Sequence, residues 1–397
     1  MLDQIVNGKI LTPFRTLHNK CIVVQDGLIQ AVVDEESIDP SLPVIDACGK
    51  YIAPGFIDIH VHGGGGHDFM DSTEEAILGP AIVHARHGTT SLTPTTVACG
   101  PDRLKKFITA YESAIRHTEH GGANLLGIHI EGPYFAQTQK GAQDGRYITV
   151  PIPRDYNEIL SLTDHIVRWD AAPELPGSHS FGDALLRAGV LASIAHSDAT
   201  FEQAMEALEH GFNHVTHFYS GTSTVTRVGA FRTAGIVEFA YLRDDVTVEI
   251  IADGCHLPAS LLALIYKIKG PSRVVLITDA MRAAGTELKI SKLGDAETGL
   301  DVVIEDGVAK LPDRSSFAGS VATADRLVRN MLQIAAVPME TAVQMMTTTP
   351  ARVLGVSDRK GIIAPGYDAD IVVFDENVEV GMTMVKGSVV YDKNRQG

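Results

Sequence analysis

Apolar residues in this chain follow two rhythms, and the change from one to the other divides it. Through the first fifty residues, "DQIVNGKIL", "CIVVQDGLIQAV" and "VIDACGKYIAPG" alternate or run together like short strands broken by glycine. The last forty return to that rhythm. There "KGIIAPGYDADIVVFDENVEVGMTMVKGSVVYD" reads strand, turn, strand, with "KGSVV" echoing "NGKIL" as a hairpin-like segment. Neither end holds enough strands to bury a core alone. The two ends are therefore expected to meet in one small β-sandwich domain, residues 1–52 plus 360–397.

Between them, eight strand-like runs (56–62, 90–95, 125–131, 166–172, 191–196, 214–217, 247–253 and 274–279) alternate with helical patterns. The clearest helical patterns are "STEEAILGPAIVHARHG", "DRLKKFITAYESAIRH", "TFEQAMEALEHG", "SLLALIYKIKG" and, after the eighth strand, "VATADRLVRNMLQIAAV". Such alternation predicts parallel βαβ units, and eight of them predict an α/β fold, a (β/α)8 TIM barrel over 53–359 with its chemistry at the C-terminal ends of the strands.

The length of 397 residues suits a barrel of about 250 residues plus a smaller domain. With 45% apolar and 21% charged residues and no apolar run near the roughly 20 residues that span a bilayer, no membrane association is expected. The N-terminus has no secretory pattern, which points to the cytoplasm. Cys21, Cys48, Cys99 and Cys255 are too scattered for a disulfide framework or a zinc ribbon. A net charge of −16 repels nucleic acid, so an anionic substrate would need a local basic pocket.

In "GFIDIHVHGGGGHDFMD", Asp58, His60 and His62 share one face of a strand and Ile57, Ile59 and Val61 the other. The two imidazoles can chelate a metal, or simply make satisfied hydrogen bonds. Other strand ends shift the balance: Glu131, His196, His217 and Asp279 close "GIHIE", "SIAH", "HVTH" and "LITD". A buried ring of His, Glu and Asp is costly without a cation. "GGGG" either cradles an anion or permits a tight path beside the ligands, and the second is the simpler reading.

The ordered series "HIEGPYF", "KGAQD", "AHSDAT", "THFYSG", "IADGCH", "LITDAM" and "FAGSVATADRLVRN", ending in "GIIAPGYDADIVVFD", resembles the amidohydrolase superfamily and, within it, the N-acetylglucosamine-6-phosphate deacetylases. The resemblance implies a metal-dependent hydrolase that converts N-acetyl-D-glucosamine 6-phosphate to D-glucosamine 6-phosphate and acetate in amino-sugar catabolism. It implies one or two divalent ions per subunit, zinc first and iron, manganese, cobalt or nickel as others. Glu131, His196 and His217 would hold the principal ion, and His60 and His62 a second one with Glu131 shared. Asp279 would border the metal as acid and base, while His256 would bond the substrate carbonyl. Ala142, Ser220, Gly221, Asp253, Gly254, Cys255 and the loop Phe317, Ala318, Gly319 would surround the sugar, with the Cys255 thiol incidental.

The chain also departs from the pattern. Ser220 and Gly221 stand where relatives have Asn-Ala, and either Arg227 or Arg232, from a neighbouring subunit of a homodimer, would reach the phosphate. Gln143 replaces a frequent His, which leaves N-acetylgalactosamine 6-phosphate, another N-acetylated amino-sugar phosphate or another N-acyl compound as alternative substrates. No lysine ends any of the strands, against a carboxylated-lysine metal bridge. A catalytically silent scaffold on the same fold is the reading that the intact ligand set and Asp279 count against.

Overall fold

A computed structural model describes residues 2–117 and 121–395; Met1, Gln396 and Gly397, at the edges of the expected terminal domain, lie outside the described residues. The barrel strands are β1 (Phe56–Val61), β2 (Thr89–Pro94), β3 (Ile128–Ile130), β4 (Ile166–Ala171), β5 (Leu191–Ile194), β6 (Phe212–Val215), β7 (Thr247–Ile250) and β8 (Val274–Leu276). β1 pairs in parallel with β2, and β3 to β8 form one parallel sheet. Parallel bridges Thr95–His129 and Val61–Ala280 join β2 to β3 and β1 to β8, closing the cylinder. Each of the eight strands lies within or overlaps a run that the apolar pattern singled out, Thr89–Pro94 starting one residue and Phe212–Val215 two residues ahead of its run. β1, β2, β3 and β8 are buried along their whole length, as strands covered on both faces should be.

The expected helices form at Glu74–Ala85, Pro101–Ala114, Phe201–Glu209, Ala259–Lys269 and Ala324–Gln333. Their starts are written locally: Thr73 accepts from Ala76 N, and Thr200 and Gln203 make a reciprocal capping box.

Both chain ends build a β-sandwich. One sheet orders Leu28–Asp34, Lys20–Gln25, Leu2–Val6 and Val44–Asp46; the other orders Ser388–Asp392, Val380–Val385, Ile371–Phe374, Tyr51–Pro54, Lys9–Leu11 and Thr16–Leu17. Ile5, Ile22 and Ile29 of the first share a buried core with Ile10, Ile52, Ile371 and Met384 of the second. Asp26-Gly27 and Lys386-Gly387 have positive φ at both residues, the two-residue turn that suits hairpin twist. "NGKIL" does not repeat that role. Asn7-Gly8 carries the chain from one sheet into the other, because Leu2–Val6 pairs with Lys20–Gln25 while Lys9–Leu11 pairs with Tyr51–Pro54.

The apolar pattern did not single out every element. A three-stranded antiparallel sheet, Ile290–Leu293, Leu300–Glu305 and Val308–Lys310, stands between β8 and the helix Ala324–Gln333. A short hairpin, Thr226–Val228 with Phe231–Thr233, projects after β6. Among the described residues no helix is long and apolar enough to cross a membrane.

Candidate active site

Alternation along β1 puts Ile57 and Ile59 against Val275, Ile277 and Ala351, leaving Asp58 and His60 to the barrel interior. His60 and His62 then face each other with their Nε2 atoms 3.3 Å apart. Their Nδ1 atoms meet Glu249 Oε2 at 3.4 Å and the carbonyl of Thr95 at 3.3 Å. With each Nδ1–H donated to an oxygen, the two Nε2 lone pairs converge, an arrangement only a proton or a metal cation relieves. Glu131 Oε1 lies 3.1 Å from Nε2 of both His196 and His217, whose Nδ1 atoms donate to the carbonyls of Gln139 (2.7 Å) and Ser220 (3.0 Å).

Glu131, His196 and His217 thus form one group with metal-ligand spacing, and His60, His62 and Asp279 another, all buried. Asp279 Oδ1 is 3.0 Å and Glu131 Oε2 3.4 Å from His62 Nε2, so the two groups adjoin. Burial opposes a charge on His62 and His217, yet Asp279 and Glu131 at the first and Glu131 at the second raise both imidazoles to about 9. Burial likewise opposes ionisation of Glu131, but the bonds from His196 and His217 hold its carboxyl well below the usual range. The cluster demands positive charge at its centre, and imidazole with carboxylate suits a divalent metal.

Three of these residues take left-handed backbone conformations that non-glycine residues seldom adopt: His196 (φ 47°), His217 (φ 26°) and Asp279 (φ 48°). Such strain collects where side chains are aimed for function. Gly319 fits beneath Asp279 only because it lacks a side chain: a Cβ there would sit 2.9 Å from the Asp279 carbonyl oxygen, at φ +70°. The amides of Gly63, Gly65 and Gly66 donate to the carbonyls of Ala280, Ala284 and Arg282, so "GGGG" spends three N–H groups on the β8 loop, in keeping with a tight path rather than an anion cradle.

Below the ring lies a second, fully buried polar layer that the sequence reading missed. Arg168 donates to Asp170 (3.1 Å), Thr216 (2.6 Å) and both oxygens of Glu249, and His129 pairs with Asp170 at 2.9 Å. Burial, then the Arg168 charge, lowers His129 to about 4; the same guanidinium, aided by His129, overcomes burial to bring Asp170 to about 2. His60, His129 and Asp170 also have metal-like spacing, but Arg168 already satisfies Asp170 there.

Above the ring opens a cavity of about 530 Å³ lined by His62, Glu131, Ala142, Gln143, His196, His217, Ser220, Gly221, His256, Asp279, Phe317 and Gly319 among others. Asp253 Oδ2 accepts from His256 Nδ1 at 2.8 Å while its Oδ1 takes the backbone N–H of Cys255 and His256, and the His256 ring packs on Phe317 at 4.7 Å. Asp253, Gly254, Cys255 and Ala318 stand outside the cavity wall. Arg227 and Arg232 do not reach it either: they face each other across the exposed hairpin. The lining also includes residues to which the sequence reading assigned no role. Gln143, which stands in place of a frequent His, donates to Glu131 Oε2 at 2.7 Å and accepts from Ala98 N at 2.7 Å. Lys310 and Arg314 line the wall; their signal was "KLPDRSS", immediately ahead of the "FAGS" loop.

The model of the amidohydrolase family matches residues 51–390, a span that includes every residue of the ring. The chain belongs to the amidohydrolase family. It is 33% identical over 351 residues to the N-acetylglucosamine-6-phosphate deacetylase of Lysinibacillus sphaericus, 88% of each chain. It is 31% identical over 384 residues to the N-acetylgalactosamine-6-phosphate deacetylase of Escherichia coli O157:H7, 96% of this chain and 97% of that one. Among solved structures, a mutant of N-acetyl-D-glucosamine-6-phosphate deacetylase from Mycobacterium smegmatis, in complex with N-acetyl-D-glucosamine-6-phosphate, superposes with a TM-score of 0.87 at 28% identity, covering 98% of this chain and 99% of that one. Within this amidohydrolase the β1, β3, β5, β6 and β8 ends supply the ring, the location expected of a barrel enzyme.

Proposed function

We propose that this amidohydrolase is a metal-dependent deacetylase of an N-acetylated amino-sugar 6-phosphate, with N-acetyl-D-glucosamine 6-phosphate the first substrate and acetate a product. The observation that carries the reading is the floor of the cavity, where two adjoining metal-fitting groups meet Asp279 and lie beneath an Asp253-held His256. Glu131, His196 and His217 would hold one ion, and His60, His62 and Asp279 border a second position. When bound, a divalent ion, zinc first among those suited to His and carboxylate, supplies Lewis acidity that makes water nucleophilic near neutral pH and polarises the acetamide.

The protein's own groups do the rest. Burial would raise the Asp279 carboxyl, but the His62 hydrogen bond and the imidazole charges hold it below the usual range, so it is ionised and ready to take the water's proton. The same carboxyl then returns that proton to the amine nitrogen as the C–N bond breaks. His256, its ring fixed by Asp253, lines the cavity where it would bond the carbonyl oxygen as negative charge develops there. Ala142, Ser220, Gly221 and the Phe317 loop shape the wall around the sugar.

The galactosamine-type relative supports N-acetyl-D-galactosamine 6-phosphate as a second substrate. A homodimer in the cytoplasm completes the proposal. All four cysteines are free, as suits a reducing compartment, and the exposed hairpin offers Arg227 and Arg232 to a neighbouring copy.

Acetate release from the two N-acetylhexosamine 6-phosphates and their unphosphorylated forms tests the reading, repeated after chelation and metal restoration. Turnover of a phosphorylated sugar, lost and recovered with metal, is expected; indifference to the phosphate would sink it. Asp279→Asn should keep its metal by elemental analysis while kcat falls about 10²- to 10⁴-fold.

A further inference from the structure

The cavity wall carries two permanent cations, Lys310 and Arg314, although the chain as a whole is strongly acidic. Lys310 ends the inserted strand Val308–Lys310 and is bridged across to Phe317; Arg314 follows in the turn between them. The wall therefore runs from Gly319, against Asp279, through Phe317, against His256, out to the two cations. A hexosamine 6-phosphate has the same polarity: its acetamide on C2 and its phosphate on C6 lie on opposite sides of the ring.

Neither cation is used up by its partners. Lys310 Nζ donates to Asp306 at 2.6 Å and Glu305 at 3.3 Å, which leaves one of its three N–H groups. Arg314 grips Glu305 through Nε at 3.1 Å and Nη2 at 3.2 Å and donates from Nη1 to the Pro312 carbonyl, which leaves two of five. The acids hold both side chains in place, so a phosphate would meet three donors already positioned.

We propose that Lys310 and Arg314 form a phosphate subsite that this chain supplies to its own cavity, whether or not a neighbour's arginine also reaches it. As a subsite for the substrate's 6-phosphate it rests on the deacetylase reading; as an anion site it is tested separately. Calorimetry on the full-length, metal-loaded protein would use D-glucose 6-phosphate and D-glucose, probes with no acetamide to hydrolyse. The wild type should prefer the phosphorylated probe, and Arg314→Gln and Lys310→Gln should each weaken it about tenfold or more. Glu305→Gln should strengthen it, a gain that a damaged fold would not give. Equal binding of D-glucose 6-phosphate by wild type, Arg314→Gln and Lys310→Gln overturns the subsite, as does a wild type that ignores the phosphate. If the variants lose the probe while wild type deacetylates no amino-sugar phosphate, the subsite stands and the substrate reading falls.

Discussion

His84, on the helix Glu74–Ala85, is a fully buried imidazole held by the carbonyl of Gly63 at 2.9 Å. Burial lowers it to about 4, against that hydrogen bond, so the folded protein keeps the ring neutral while the unfolded chain protonates it near 6.5. Its contribution to stability is complete above pH 6.5 and is lost as pH falls from 6.5 towards 4, on the order of 3 kcal/mol at the acid end. Thermal unfolding of His84→Gln should therefore show a shallower drop in Tm than wild type between pH 7 and 4.5; parallel curves would refute the assignment. At this scale the sequence was readable where chemistry and period agreed. His60, His62, Glu131, His196, His217 and Asp279 all stand at or beside strand ends and adjoin in one ring, and all but His60 line the cavity. Arg168, Asp170 and Glu249 were not readable, because a charged residue inside a strand is ordinarily turned to solvent. Only closure of the barrel brings Arg168 to Glu249, 81 positions away.

The hairpin Thr226–Thr233 is unusual as an element. Phe231 is 81% and Val228 66% exposed, and Arg227 and Arg232 stand directly opposite each other, a pairing of like charges that weakens an isolated hairpin. Seating in a second copy would cover the apolar tip and give the arginines an anion. On the proposed homodimer, Phe231→Ser should lower the sedimentation coefficient relative to wild type and lower kcat/KM for the phosphorylated sugar; an unchanged sedimentation coefficient would rule out the hairpin as the dimer contact. This hairpin and the inserted sheet Ile290–Lys310 escaped the apolar pattern for one reason. Their strands are three to six residues long and partly exposed, so polar residues interrupt any period. The barrel strands are legible because they are buried.

At the scale of the molecule, the two ends of the chain complete one another. Tyr51–Pro54 lies between Lys9–Leu11 and Ile371–Phe374, and the sandwich core takes Ile5, Ile10 and Ile22 from the start and Ile371, Val373 and Met384 from the finish. The division proposed at residues 52 and 360 predicts that a chain ended at residue 359 loses this core: it should accumulate in the insoluble fraction or bind a hydrophobic dye, and a soluble, dye-silent product would argue for an independent barrel. That the ends belong together was legible from their shared rhythm; which strand lies beside which was not, since period constrains faces and leaves neighbours open. The interleaving also sets an order of events during synthesis. The edge of Tyr51–Pro54 leaves the ribosome early and waits for its partner while roughly 300 further residues are translated, roughly 15–60 s at ordinary elongation rates. For that interval the nascent sandwich offers an open strand edge, and its survival depends on how quickly the last strands arrive or on what shields it until then.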